Sequence, residues 1–286
     1  MNSVKYFFQF FIIFFLFIIF KILGLKLASN FSDWLLKIFG PFFRSKKIIE
    51  KNILNAFPAI NHQDLKKIIS GMWGNYGRIL SEYIFLKNFR ESQLNNNLEI
   101  IGQDILEEIK KEDKPVIFIS GHFNNFELMA MHIEKSGVNL AVIYRPLNNK
   151  FLNLIMEKIR KKYICKHQIK KGMAGTRQLL SFFKKNHSIA LMIDQRVSQG
   201  IKSNFFNQAA YTTTIPAQFV KKFNCKVVPI YVERVNKINF KLTISKPLEF
   251  SSTSTIENIT LDLNQILEKM ILKNPDQWIW SHDRWK

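Results

Sequence analysis

Apolar and polar positions along the chain fall into three regimes. The first is a nearly unbroken apolar run, YFFQFFIIFFLFIIF from Tyr6 to Phe20, interrupted only by Gln9. Carried on to Leu25 it covers 20 positions, close to the roughly 20 residues that cross a hydrocarbon core. No small-x-small cleavage site follows. The next stretch, ASNFSDWLLKIFGPFF, stays amphipathic and aromatic-rich. The pattern therefore predicts a membrane helix followed by an interfacial segment, not a removed signal peptide.

The second regime is helical. Over residues 62–86, Leu65, Ile68, Ile69, Met72, Trp73, Tyr76, Ile79, Leu80 and Tyr83 recur at the spacing of one helix face. In the third regime, short apolar runs of strand length alternate with helical patterns. Strands are expected at Val116–Ser120, Leu140–Tyr144, Ile189–Ile193 and Lys226–Glu233, with one or two more in INFKLTISKPLEF. Helices are expected at Phe126–Lys135, Phe151–Lys162, Gly175–Lys185, Ile215–Phe223 and from about Ile256 to Leu272. Such alternation predicts an α/β fold, a mixed central sheet flanked by helices, with one N-terminal transmembrane helix. The corresponding division is an anchor over 1–26, an interfacial helical segment over 27–95 and an α/β catalytic domain over 96–286. There is no internal repeat and no long Pro/Gly/Ser linker.

Charge narrows the setting. The 286 residues carry 42 Lys and Arg against 22 Asp and Glu, a net of +20. An excess of this size suits a polyanionic partner, or reflects a lysine-rich background on solvated faces. Only Lys5 precedes the apolar run, whereas Lys21, Lys26, Lys37, Arg44, Lys46, Lys47 and Lys51 follow it. The positive-inside rule then places the body of the protein in the cytoplasm, as a single-pass membrane protein. The two cysteines, Cys165 and Cys225, form no Cys-x-x-Cys pair, which speaks against a zinc ribbon or redox motif.

In a sheet covered by helices, chemistry collects beyond the carboxyl ends of the strands. There, in KPVIFISGHFNNFELMAMH, an apolar strand ends in Gly121-His122 and Glu127 opens the next helix. A neutral imidazole takes a proton near pH 7, and a carboxylate can fix its tautomer. Five positions are about 140° out of phase on a helix, so His122 is expected in the turn, bent back toward Glu127. A lone histidine at a strand end is more often structural. Arg145 in VIYRPLNNK, Asp194-Gln195-Arg196 in ALMIDQRV and the Thr-rich FFNQAAYTTTIPAQF lie just past other strands and raise the odds of a site. The chain has no His-Glu-x-x-His for zinc and no Gly-x-Ser-x-Gly for a serine hydrolase. Without a recognisable nucleic-acid motif, the charge alone does not make a nucleic-acid binder.

Gly121-His122 with Glu127, Tyr144-Arg145-Pro146, Asp194-Gln195, Phe205-Phe206 and Thr212-Thr213-Thr214, in this order, resemble the lipid A biosynthesis lauroyl/myristoyl (late) acyltransferases. NILNAFP (52–58) and NPDQWIWSHDRWK (274–286) extend the resemblance over nearly the whole chain. It also reaches the wider glycerolipid acyltransferase superfamily, with its His-x4-acid first block. Two positions depart. Asn124-Asn125-Phe126-Glu127 stands where the family has Gly-Asn-Trp-Glu, and Asn207 stands where it has Gly. The resemblance implies transfer of a fatty acyl chain from acyl carrier protein to a hydroxyl on the lipid A precursor, with His122 and Glu127 catalytic. It implies substrate-binding roles for Asn125, Arg145, Arg160, Asp194, Gln195 and Thr213. No metal or other cofactor is implied, and the partners would be acyl carrier protein, the lipid A precursor and the membrane, not nucleic acid. Within the superfamily, the alternative is an acyltransferase of lysophospholipids or another glycolipid.

Overall fold

The computed structural model describes residues 2–286. The chain opens with α1 (Asn2–Phe39), α2 (Lys46–Ala56), α3 (His62–Glu82) and the short α4 (Leu86–Arg90). There follow β1 (Leu98–Ile101), α5 (Gln103–Glu112), β2 (Ile117–Ser120), α6 (Glu127–Lys135), β3 (Leu140–Tyr144) and α7 (Lys150–Ile159). A π turn over Arg160–Ile164 leads to β4 (His167–Lys170), α8 (Met173–Lys184) and β5 (Ser188–Met192). The remainder is β6 (Ile201–Phe205), β7 (Gln208–Thr212), α9 (Ile215–Phe223), β8 (Val227–Asn236), β9 (Asn239–Ile244) and α10 (Ile256–Lys273).

Seven strands form one mixed sheet in the order β1-β9-β8-β2-β5-β3-β4. Only β8 and β9 pair antiparallel within it; β6 and β7 form a separate hairpin. Strand alternation splits the core in two. Ile117 and Ile119 of β2 face one layer, with Leu179, Phe219, Leu263 and Trp278, while Phe118 faces the other, with Leu106, Leu128 and Met131. Burial on both faces is why the strands read as continuous apolar runs.

The expected α/β class is the one observed, and Leu140–Tyr144 is a strand with the expected ends. Besides β6, whose IKSNF carries no apolar run, three more strand regions escaped the pattern. β1 and β4 are four-residue edge strands and only half-buried, with Glu99 breaking the one and His167, Gln168 and Lys170 making the other polar. The third is β7, which takes up Gln208–Thr212 of the stretch expected as a Thr-rich loop. Its hairpin turn holds Phe206 and Asn207 at φ 52° and 57°. Asn, the residue that tolerates positive φ best after glycine, sits here where the family has Gly.

α1 is not one straight helix. Gly24, at φ 72° and ψ 166°, breaks it, a conformation that glycine adopts without a Cβ penalty. The part before the break is apolar: its best 18-residue window has mean hydropathy 2.6 and is only 11% buried. It is thus a candidate membrane span and not a core helix. The part after Gly24 packs on α3. The contact is close because Gly77 of α3 has no side chain, and a Cβ there would run into the Ser32 carbonyl. In an isolated helix Gly→Ala stabilises by about 1 kcal/mol. Gly77→Ala is expected to do the reverse, lowering stability by about 1–3 kcal/mol through overpacking, measurable as a lower unfolding temperature of the detergent-solubilised protein.

Candidate active site

The neighbouring parallel strands β2 and β5 are in register, with Ser120 opposite Met192. Two residues further on, His122 and Asp194 therefore leave the sheet side by side. His122 Nδ1 lies 2.8 Å from Asp194 Oδ1, and the His122 backbone N–H donates to Oδ2 at 2.8 Å. A third donor is distant in sequence: Trp278 Nε1 donates to Asp194 Oδ2 at 2.9 Å. Asp194 is 2% exposed. Burial alone would raise its pKa, but the facing His122 and the bonds from His122 and Trp278 overcome this and hold it below the usual carboxylate range. The partly buried His122 ring sets Nδ1 against this carboxylate and leaves Nε2 as the nitrogen that it does not engage. Phe126 packs edge-on against this ring, with centroids 4.8 Å apart.

This corrects the expected pairing of His122 with Glu127. Glu127 begins α6 and turns to the other side of Phe126, into a buried cluster with Tyr83 and Arg160. Its Oε1 accepts the Tyr83 hydroxyl and Arg160 Nε at 2.8 Å, and Arg160 Nη2 comes within 2.6 Å. Arg160 Nη2 also donates to the Tyr83 oxygen at 3.0 Å. The π turn that starts at Arg160 directs the guanidinium inward here. Burial would lower the Arg160 pKa, but Glu127 and Tyr83 raise it above the usual value. Burial, with Glu127 beside it, raises Tyr83 well above its ordinary pKa, so it is a neutral hydrogen-bond donor. Hence Arg160, expected to bind substrate, is engaged by Glu127.

The other expected residues take varied places. Arg145 lies just past β3, exposed and without an ion pair among the described residues. Gln195 is half-buried beside Asp194, whereas Asp194 itself lies beneath the histidine and does not line an open wall. Asn125 is fully buried and donates to Glu82 at 3.2 Å. Glu82 in turn forms a bidentate pair with Arg234, at 2.5 and 3.1 Å. Thr213 accepts from the Ile215 backbone N–H at 3.4 Å, a local contact at the start of α9.

What sequence reasoning missed is the carboxyl-terminal tail. Asn52 of α2 donates to the carbonyls of Trp280 and His282 at 2.8 and 2.7 Å. Gln277 joins Asn124 and the Arg234 backbone, and buried Arg284 donates to Tyr211 O and Thr212 Oγ1, each at 2.7 Å. These anchors set the Trp278 indole under Asp194. The tryptophan-rich ending was visible, but only its resemblance to a family pointed to it.

Together these features define an α/β protein with a histidine–carboxylate pair at the carboxyl edge of its parallel strands, completed by its own carboxyl terminus. The chain belongs to the bacterial lipid A biosynthesis acyltransferases, whose family profile matches residues 1–286; it is an acyltransferase. It is 22% identical over 251 residues to the lipid A biosynthesis palmitoleoyltransferase of Escherichia coli K12, covering 86% of this chain and 80% of the relative. To the lauroyltransferase of the same organism it is 22% identical over 250 residues, covering 85% and 79%. To a lipid A biosynthesis acyltransferase of Haemophilus influenzae it is 24% identical over 252 residues, covering 85% and 78%. A crystal structure of a 1-acyl-sn-glycerophosphate acyltransferase from Thermotoga maritima superposes with a TM-score of 0.42 at 12% identity, over 89% of this chain and 98% of that one.

The Glu127–Arg160 pair gives a stability test. Arg160→Met leaves a buried carboxylate without its counter-charge and is expected to cost about 3–5 kcal/mol. Adding Glu127→Gln to that variant should restore much of the loss. The check is a double-mutant cycle of unfolding temperatures, where additive losses would mean that the two side chains are not coupled.

Proposed function

We propose that this acyltransferase transfers a fatty acyl chain from acyl carrier protein to a hydroxyl borne by an acyl chain of the lipid A precursor, with His122 as general base. The observation that carries the reading is the His122–Asp194 contact of 2.8 Å at the carboxyl edge of the sheet. It leaves Nε2 as the ring nitrogen available to take a proton.

In the reaction, Nε2 takes the proton of the acceptor hydroxyl as its oxygen attacks the thioester carbonyl carbon. The imidazolium that forms lies against the Asp194 carboxylate, which stabilises it and holds the ring in place. The tetrahedral centre then collapses. The carbon–sulfur bond breaks, the thiolate takes the proton from Nε2, and an ester remains on the acceptor. Trp278 fixes the second carboxylate oxygen. Glu127 acts through Arg160, holding the α6–α7 corner beside the site. Arg145, free of an internal partner, is the guanidinium available to a phosphate of donor or acceptor. The exposed Lys166, Lys170 and Lys171 offer a basic surface to an acidic carrier protein. The setting is the inner membrane, with this edge on the cytoplasmic side, where acyl carrier protein is found.

An acyl-transfer assay with acyl carrier protein thioesters and the precursor tests the scheme. His122→Ala is expected to lose about 10²–10⁴-fold in turnover. Asp194→Asn should lose a comparable factor, since the ring loses the acceptor that sets its tautomer. Trp278→Phe removes one hydrogen bond to a charged group, worth about 1.5–3 kcal/mol, and should slow turnover by an order of magnitude or more with little change in KM. Full activity in His122→Ala would exclude the general base.

A further inference from the structure

The first half of α1 does not stand clear of the catalytic body. Asn149, at the start of α7, donates its side-chain amide to the Tyr6 carbonyl at 2.8 Å. Phe151 of α7 packs against Phe7 and Phe10, with ring centroids 5.9 and 6.0 Å away. Tyr6 precedes the Gly24 break by eighteen residues, or about 27 Å of helix at 1.5 Å per residue. The body thus reaches almost the whole length of the apolar helix. A straight crossing of the bilayer would carry Tyr6 to the opposite leaflet, out of reach of a body on the cytoplasmic side, so these contacts lay the first half of α1 along the body, within one leaflet.

α7 itself is apolar on its open side. Leu154 is 62% and Phe151 40% exposed, and Leu147 in the preceding loop is 38% exposed. These positions are continuous, through Phe151, with the bare Phe7, Phe8, Phe11 and Phe15 of α1. Exposed lysines flank the surface at Lys150, Lys158, Lys161 and Lys162. An apolar patch this continuous marks an interaction surface. Its basic rim suits the head groups of an anionic lipid leaflet, and its apolar centre suits the acyl region beneath them.

We propose that α1 and α7 together form one membrane-facing surface, and that α7 is embedded in the acyl region of the same leaflet as the helix beside it. α7 follows β3 at the edge that carries His122 and Asp194, and its end holds Arg160 against Glu127. The mouth of the site then opens at the level of lipid chains, and an acceptor reaches His122 without leaving the bilayer. This rests on the reading of the protein as a membrane acyltransferase, but its test measures depth and not turnover, so the two can fail separately.

The experiment uses the full chain with Cys165 and Cys225 changed to Ala, and single cysteines placed by Leu154→Cys, Phe8→Cys and Lys114→Cys. Lys114 is exposed just before β2, at the opposite edge of the sheet. Each variant is labelled with an environment-sensitive fluorophore and reconstituted in vesicles of anionic phospholipid with brominated acyl chains. The labels at 154 and 8 are both expected to be quenched at least twofold, and the label at 114 to be unaffected. A label at 154 that behaves like the one at 114 while that at 8 is quenched would show α1 inserting alone and would overturn the proposal. So would the absence of quenching at all three positions.

Discussion

The parallel pairing of β2 with β5 is the constraint on which the site depends. With Ser120 opposite Met192, whatever stands two residues beyond each strand is brought together, and here that is a histidine and an aspartate. A one-residue slip would send these side chains to opposite faces of the sheet. The slip is blocked because Ile117, Ile119, Ile189 and Leu191 are all packed in one layer and Phe118 and Ala190 in the other. Core packing therefore sets the geometry of the polar pair, and the buried carboxylate is tolerated because three donors meet it.

Those donors come from two places along the chain: the ring and backbone of a histidine 72 residues before Asp194, and an indole 84 residues after it. The last ties the chemistry to the completeness of the fold. Trp278 is placed by a tail that α2, the β6–β7 hairpin and β8 all hold through buried hydrogen bonds. A buried carboxylate that keeps its charge needs every such partner, so the residues after α10 close over the site while the turn after β2 supplies the base.

Much of this was legible in sequence, and the reasons for the remainder are physical. The long apolar strands β2, β3, β5 and β8 announced themselves because both sheet faces are covered. β1 and β4, at the sheet edges, did not, since each is only partly buried and its apolar positions are interrupted, by Glu99 in β1 and by His167, Gln168 and Lys170 in β4. His122 was found because a histidine after an apolar strand is conspicuous. Its contact with Asp194 was not legible, because Glu127 is near in sequence whereas Asp194 is near only once two strands pair. Local spacing carries helix phase but not strand register. The contact of Arg160, expected to bind substrate, with Glu127 is hidden for the same reason: the π turn that begins at Arg160 has no signature in the pattern.

Two buried ion pairs, Glu127–Arg160 and Glu82–Arg234, bracket α6 from its start and through Asn125 just before it. Buried pairs of this kind contribute little net stability compared with apolar side chains of the same volume, because desolvation offsets the attraction. What they supply is direction. Guanidinium forks are planar and fixed, so each pair allows one orientation of the helices it joins. In this protein that orientation sets the α6–α7 corner, and with it the place of Phe126 against the His122 ring. An apolar replacement could keep the fold and still let that corner shift. The charges of this acyltransferase are therefore better understood as positioning the chemistry than as holding the chain together.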